Sequence, residues 1–256
     1  NGKIYFAPYG APRVLAIDPD ASTARAIGPE IPGQCKYEAA GVLAHNGQIY
    51  FAPSSAPRVL AIDPDASTVR AIGPEIPGER KYQAAGVLAR NGQIYFAPSS
   101  APRVLAVDPD ASTARAIGPE IPGEEKYAAA GVLALNGQIY FAPSCAPRGL
   151  AVDPDASTAR AIGPEIPGED KYAAAGVLAL NGQIYFAPSC APRGLAVDPD
   201  ASTARPIGPE IPGECKYVAA GVLAPNGQIY FAPSSAPRVL AIDPDASTVR
   251  AIGPEI

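Results

Sequence analysis

The sequence contains no Met, no Trp and a single His among its 256 residues. Acidic side chains outnumber Lys and Arg by 25 to 20, so the formal net charge is −5 at pH 7. An acidic chain has no electrostatic footprint for nucleic acid, and we expect no such partner. No apolar run reaches the ~18 residues of a membrane-spanning helix, and the start, Asn1-Gly2-Lys3, does not resemble a signal peptide. We therefore expect no membrane span, and the lack of Met predicts a fragment, a processed product or a sequence read without its true start.

The residues present in excess are Gly (25) and Pro (31), which disfavour long helices. An Asn-Gly-(Lys/Gln)-Ile pattern recurs every 45 residues, starting at Asn1, Asn46, Asn91, Asn136, Asn181 and Asn226. Internal repetition of this kind decides the fold. We predict a single domain, 1–256, built of five full repeats and a partial sixth: 1–45, 46–90, 91–135, 136–180, 181–225 and 226–256.

Each repeat holds four apolar segments separated by turn residues. In repeat 46–90 they predict strands at 49–52, 59–63, 69–72 and 84–89. The Asn-Gly step after the last segment is typical of a hairpin, and apolar runs on both faces indicate sheets buried on two sides. Four short antiparallel strands per repeat predict an all-β fold, a β-propeller with six blades of four strands. A two-layer sandwich and a β-solenoid are the alternatives.

One strand is missing from this count. The Ala/Gly-rich strand occurs five times, whereas the other three occur six times. We place it innermost and the Val-Arg-Ala-Ile strand outermost, where Pro206 replaces Ala, because Pro is tolerated mainly at a sheet edge. One blade is then expected to lack its inner strand. The alternatives are a piece of a longer array or a chain that accepts a neighbour's strand, so self-association through the incomplete blade is also expected.

A longer pattern runs through every repeat. In the second it reads Gln48-Ile-Tyr-Phe-Ala-Pro-Ser-Ser-Ala-Pro-Arg-Val-Leu-Ala-Ile-Asp63, followed by Ala85-Gly-Val-Leu-Ala-Arg-Asn-Gly92. It resembles the YVTN and NHL-type propeller repeats. The resemblance implies a propeller, and such propellers serve as binding platforms, surface-layer parts and occasionally enzymes. The Pro-rich Gly-Pro-Glu-Ile-Pro-Gly segment departs from that pattern.

Residues that activate nucleophiles or bind metals are few. The single histidine, His45, stands at a position that other repeats fill with Arg, Leu or Pro, which is typical of a solvent-facing turn. One His cannot build a Ser-His-Asp triad or a His-based metal site. No Cys belongs to a C-x-x-C pair, and equivalent positions in neighbouring blades are expected to be too far apart for a disulfide. We interpret all four as free thiols: Cys35, Cys145, Cys190 and Cys215.

The motif Asp-Pro-Asp-Ala-Ser-Thr, which begins at Asp18 and recurs in every repeat, offers two carboxylates and two hydroxyls. Calcium prefers such oxygen clusters, but Asp, Pro and Ser are also turn formers. We interpret the motif as a hairpin turn, with a calcium site as the alternative.

The loops after the first and the outer strand should share one face and carry the candidate ligand-binding residues. A guanidinium beside a Tyr ring suits carboxylates or sugars. The alternative is that each Arg pairs with a nearby Glu and each Tyr packs between blades. The residues are Arg13, Arg58, Arg103, Arg148, Arg193, Arg238, Tyr37, Tyr82, Tyr127, Tyr172 and Tyr217.

These observations predict a non-catalytic binding platform for protein or carbohydrate, with no enzyme activity, no cofactor and no metal. The positions that vary most, 34, 35 and 38 and their equivalents, flank the Tyr and are compatible with recognition or with drift. The alternative function is a structural module of a repetitive surface or extracellular assembly, linked through its incomplete blade. The compartment stays open, with an extracellular or cell-surface location favoured.

Overall fold

A computed structural model describes residues 1–255, in which 23 β-strands are found and no helix that could cross a membrane. The strands are β1 (Ile4–Phe6), β2 (Val14–Asp18), β3 (Thr23–Ile27), β4 (Val42–Leu43), β5 (Ile49–Phe51), β6 (Val59–Asp63), β7 (Thr68–Ile72), β8 (Val87–Leu88), β9 (Ile94–Phe96), β10 (Val104–Asp108), β11 (Thr113–Ile117), β12 (Val132–Leu133), β13 (Ile139–Phe141), β14 (Gly149–Asp153), β15 (Thr158–Ile162), β16 (Val177–Leu178), β17 (Ile184–Phe186), β18 (Gly194–Asp198), β19 (Thr203–Ile207), β20 (Val222–Leu223), β21 (Ile229–Phe231), β22 (Val239–Asp243) and β23 (Thr248–Ile252).

Each sheet is an antiparallel meander of consecutive strands. The first has three strands, β1-β2-β3, and five have four: β4-β5-β6-β7, β8 to β11, β12 to β15, β16 to β19 and β20 to β23. A four-stranded sheet takes its first strand from the end of one repeat and the other three from the next. The prediction of an all-β chain with four-stranded antiparallel sheets is confirmed.

The first strand of each four-stranded sheet is shorter than expected. We predicted residues 84–89, but β8 pairs at two positions, Val87 with Tyr95 and Leu88 with Ile94. A Cβ placed on Gly86 would lie 2.4 Å from a ring atom of Phe96. The small residues before β8 therefore allow the backbone to pass closely over an aromatic ring and do not extend the ladder.

The chain divides into two compact units, Asn1–Pro122 and Gly123–Ile256. The first unit contains the sheets β1 to β3, β4 to β7 and β8 to β11, and the second contains β12 to β15, β16 to β19 and β20 to β23.

The hydrophobic cores of each unit lie between its sheets. In the first unit, Tyr50 and Val59 pack with Phe96 and Leu105 of the following sheet. In the second unit the same arrangement joins β12 to β15 with β16 to β19, and joins β16 to β19 with β20 to β23. Two-sided packing explains the continuous apolar runs: four of the five residues of β6 are buried, whereas β2 of the first sheet leaves Leu15 exposed.

The turns of the Asp-Pro-Asp motif tie adjacent sheets together. The carboxylate of Asp63 accepts the backbone N–H groups of Asp65 at 3.1 Å and Ala66 at 2.9 Å, which closes the turn. The carbonyl of Pro109 in the next repeat's turn accepts hydrogen bonds from the Asn46 amide at 3.1 Å and the Tyr50 hydroxyl at 3.2 Å. The motif therefore has a structural role. It lies at one end of the sheets, and the loops from β5 to β6 and from β7 to β8 lie at the opposite end.

Candidate binding site

Similar pockets recur where the loop after an outer strand meets the following sheet. In the first unit one cavity of about 250 Å³ has walls of Pro74, Ile76 and Leu105, with Tyr82 and Arg103 among its lining residues. An equivalent cavity of about 210 Å³ lies one repeat earlier, and another of about 280 Å³ lies in the second unit. Each contains one predicted Tyr and the predicted Arg that follows it by 21 residues: Tyr37 with Arg58, Tyr82 with Arg103, and Tyr172 with Arg193.

The Tyr of each pocket is a buried structural donor. Tyr82 is 2% exposed, and its hydroxyl donates a hydrogen bond to the carbonyl of Arg103 at 3.1 Å. The same bond, 3.0 to 3.2 Å long, forms in the other full repeats. Burial raises the pKa far above the usual Tyr range, so these hydroxyls stay protonated at neutral pH: Tyr37, Tyr82, Tyr127 and Tyr172.

The Arg side chains form ion pairs at the surface. Arg58 pairs with Glu75 at 3.3 Å, and both side chains are substantially exposed. Such exposed pairs contribute about 0 to 1 kcal/mol, so a ligand can compete for either partner. All six predicted Arg residues make this contact with the Glu 17 positions later, at 3.2 to 3.4 Å: Arg13, Arg58, Arg103, Arg148, Arg193 and Arg238.

The Glu and the Arg that line one pocket belong to different ion pairs. Glu75 and Arg103 line the same cavity, yet Glu75 pairs with Arg58 and Arg103 pairs with Glu120. The space between them is lined mainly by Pro, Ile, Leu and Ala side chains. The pocket therefore combines an apolar lining with one carboxylate and two guanidinium groups, those of Glu75, Arg103 and Arg115.

Buried lysines join the loops of adjacent sheets, a role that the sequence did not indicate. Lys81 is 1% exposed, and its ammonium donates to the carbonyl of Gly78 at 2.6 Å. Its backbone N–H donates to Ser54 at 3.1 Å, and its carbonyl accepts from Ser99 at 2.8 Å, so Lys81 joins the loops of two adjacent sheets. Burial lowers the pKa of the lysines at this position: Lys81, Lys126, Lys171 and Lys216.

The variable loop positions meet in space. The carbonyl of Glu125 accepts the backbone N–H of Cys145 at 3.1 Å, and the carbonyl of Asp170 accepts that of Cys190 at 3.0 Å. The Cys190 and Cys215 thiols are neighbours, and the interaction with Cys190 is the main cause that raises the pKa of Cys215. We compared only equivalent positions in the sequence and so missed this pair, whose members occupy different positions of the repeat.

No family model matches the sequence, and no curated protein matches it. Solved structures do match. A virginiamycin B lyase from Staphylococcus aureus with quinupristin is 13% identical, with a TM-score of 0.68 over 98% of this chain and 80% of that chain. A streptogramin B lyase is 16% identical, with a TM-score of 0.67 over 100% and 80%. The extracellular domain of a proposed one component system from B. thetaiotaomicron is 9% identical, with a TM-score of 0.63 over 98% and 35%. The likeness shows a β-propeller repeat fold.

One expectation from the sequence is wrong. We excluded an enzyme because the chain has no catalytic triad and its repeats are alike, but the matching solved structures include lyases of the same fold. Repeated blades therefore do not exclude catalysis. At 13 to 16% identity the likeness shows the fold alone and assigns no activity. The more specific resemblance to YVTN and NHL-type repeats stays a prediction.

Proposed function

We propose that the chain is a binding platform that takes apolar side chains of protein ligands into the pockets between its sheets. The observation that carries this proposal is the recurrence of one pocket, with the same Tyr, Arg, Pro and Ile positions, at three places in the chain. Repetition of a weak site raises the overall affinity for a ligand that engages several copies.

The lining favours protein over carbohydrate. Sugars are commonly held by stacking on an accessible aromatic face, but the pocket Tyr residues are buried and their hydroxyls are already hydrogen-bonded. Pro and Ile walls suit an aliphatic or proline side chain, and the Glu and Arg at the rim suit charged residues on either side of it. The ligand-binding role of the predicted Arg and Tyr positions is part of this proposal.

The test is to present a random-peptide display library and a glycan array to the immobilised full chain. Ala71 and Ala116 are exposed and line two pockets, so Ala71→Phe and Ala116→Phe should obstruct them without disturbing the core. Ala111→Phe, at an exposed turn position, is the matched control. We expect selected peptides to lose binding to the pocket variants but not to the control. Binding to glycans alone, or equal peptide binding by all variants, would contradict the proposal.

We further propose that residues 1–256 form one propeller domain, and that the three-stranded first sheet is the blade without an inner strand. In the next two sheets, Gly41 and Gly86 lie against the rings of Phe51 and Phe96. Among the residues that the structure describes, no Gly lies in this way against Phe6, which is 51% exposed, whereas Phe96 is 0% exposed.

This exposed edge favours a second candidate function, a structural module that associates through its first sheet. β1 pairs with β2 and with no other described strand, and Ile4 and Phe6 beside its free edge are exposed. An open strand edge with apolar side chains is a site for strand addition. Sedimentation over a range of concentrations should then show association that Phe6→Asp abolishes and Leu180→Asp, at another exposed apolar position, leaves intact. A monomer at every concentration would eliminate this candidate.

A further inference from the structure

Three metal-ligating side chains converge in the second unit. The carboxylates of Glu125 and Asp170 and the thiol of Cys145 each offer a ligand atom, and these atoms lie within 4.8 Å of one another. We propose that they bind a thiophilic divalent cation such as Zn²⁺. The site is separate from the pockets and does not depend on their function.

The fold holds the three segments in place through backbone hydrogen bonds. The loop between β13 and β14 carries Cys145, whose N–H donates to the carbonyl of Glu125 at 3.1 Å. In the same loop, Ser144 donates its N–H to Lys126 at 2.8 Å and accepts that of Lys171 at 3.3 Å. Its hydroxyl also reaches the Asp170 carboxylate at 3.4 Å. The loop is therefore fixed between the segments that carry Glu125 and Asp170.

The donor set matches a borderline-soft cation. Zn²⁺ takes thiolate sulfur at about 2.3 Å and carboxylate oxygen at about 2.0 to 2.2 Å, usually in tetrahedral sites. Ca²⁺ and Mg²⁺ prefer oxygen ligands alone and would leave the sulfur of Cys145 unused. The three ligand atoms lie within 4.8 Å of one another, so side-chain rotations would allow all three to contact one Zn²⁺ ion. Three protein ligands leave the fourth position for water or another ligand.

The local charges balance when the cation is bound. Binding moves the Cys145 proton to solvent and forms a sulfur–metal bond, so the thiolate and the two carboxylates carry three negative charges. A divalent cation and the ammonium of Lys171 neutralise them. Lys171 is 1% exposed and directly follows Asp170 in the chain.

The differences between repeats point to the same place. Repeats 91–135 and 136–180 differ at three positions, and two of these differences, Ser100/Cys145 and Glu125/Asp170, supply all three proposed ligands. At the position of Glu125 and Asp170, the other full repeats carry Cys35, Arg80 and Cys215. No other two consecutive repeats place two carboxylates there. The sequence alone could not reveal the cluster because its members come from separate loops.

The thiols of Cys190 and Cys215 are also near Asp170, whose carbonyl accepts the Cys190 N–H, and they are the competing location for a metal. The test therefore has to separate the two. Full-length protein is treated with chelator, kept reduced with a phosphine and titrated with Co²⁺, whose thiolate charge-transfer absorption reports sulfur ligation. Zn²⁺ is then added to displace Co²⁺, and isothermal titration gives the stoichiometry.

We expect one Co²⁺ per chain, displaced by Zn²⁺, and loss of the absorption band in Cys145→Ser. Asp170→Asn should weaken binding at least about tenfold. Asn suits this position because Asp170 has a φ of 46° and Asn tolerates left-handed backbone. Cys35→Ser, which removes a thiol from the other unit, is the control and should bind like the unchanged chain. Absence of Co²⁺ binding, or a band that survives Cys145→Ser and disappears in Cys190→Ser or Cys215→Ser, would overturn the proposal.

Discussion

The hydroxyl of Tyr82 donates a hydrogen bond to the backbone carbonyl of Arg103, 3.1 Å away, and both residues line one pocket. The bond joins the segment that precedes β8 to the loop between β9 and β10. Because the same bond recurs in every full repeat, the Tyr positions hold the pocket walls in place, while the Arg side chains remain at the rim. In the proposed binding role, the Tyr therefore stabilises the pocket and the Arg contacts the ligand.

Removal of this hydroxyl should destabilise the fold. Tyr82→Phe removes the part-buried hydrogen bond to the carbonyl of Arg103, and we expect a loss of about 0.5 to 1.5 kcal/mol in the free energy of unfolding. Urea unfolding followed by circular dichroism measures it. Tyr9→Phe is the matched control, since Tyr9 is exposed, and should change stability by less than about 0.5 kcal/mol. Equal effects of the two variants would argue against the structural role.

The two equivalent Phe residues of the first unit should differ sharply. Phe96→Ala empties a fully buried site and should reduce the free energy of unfolding by about 3 to 5 kcal/mol. Phe6→Ala removes a half-exposed ring, so its effect should stay below about 1 kcal/mol. Thermal unfolding of both variants tests this. A large loss from Phe6→Ala would mean that another part of the chain covers β1.

Gly86 should not tolerate a side chain. A Cβ there would lie 2.4 Å from the Phe96 ring, so Gly86→Ala forces the ring or the backbone to move and should reduce stability by about 1 to 3 kcal/mol. Gly149→Ala is the control, because its new Cβ would come no closer than 3.2 Å to a flexible Ile162 side chain. Its change should be smaller than about 1 kcal/mol. Denaturant midpoints that rank the two variants in the opposite order would contradict the packing described here.

Stability should fall in alkaline solution. Burial raises the pKa of Tyr37, Tyr82, Tyr127 and Tyr172, so above about pH 10 the unfolded chain loses tyrosine protons that the folded chain keeps. These Tyr residues therefore leave the free energy of unfolding unchanged below that pH and reduce it above that pH. The buried lysines act in the opposite direction, because burial lowers their pKa. Their contribution makes the free energy of unfolding rise as the pH approaches about 10.4, the pKa of Lys in an unfolded chain.

Tyrosinate absorbance during a pH titration measures this behaviour. Of the 12 Tyr residues, the buried ones should ionise only when the chain unfolds, together with the loss of the β-sheet circular dichroism signal. Reversible ionisation of all Tyr residues near pH 10 in folded protein would contradict the assigned burial.

The sequence was sufficient for features that depend on local pattern. The turn residues around 59–63 predicted the bounds of β6, and apolar runs on both faces predicted sheets packed on two sides. Pro206 was placed in an edge strand, and β19 is at the edge of its sheet. The predicted length of β8 was wrong, because Gly86 is small to let the backbone pass close to the Phe96 ring, a reason that a strand pattern does not reveal.

The candidate site depended more on contacts between distant segments. The sequence indicated that Arg and Tyr lie near each other, and the pockets contain both. It did not show that Lys81 is buried. The ammonium of Lys81 donates a hydrogen bond to the carbonyl of Gly78, and the position of that carbonyl depends on the backbone turn at Gly78. The Glu125, Cys145 and Asp170 cluster likewise requires three loops to be placed in space.

The most direct test of the binding proposal is isothermal titration of a display-selected peptide into the unchanged chain, Ala71→Phe, and the double variant Ala71→Phe/Ala116→Phe. Repeated pockets predict more than one site per chain and a stoichiometry that falls with each obstructed pocket, while Ala111→Phe leaves it unchanged. A single site whose stoichiometry and affinity are the same in all four proteins would contradict the account.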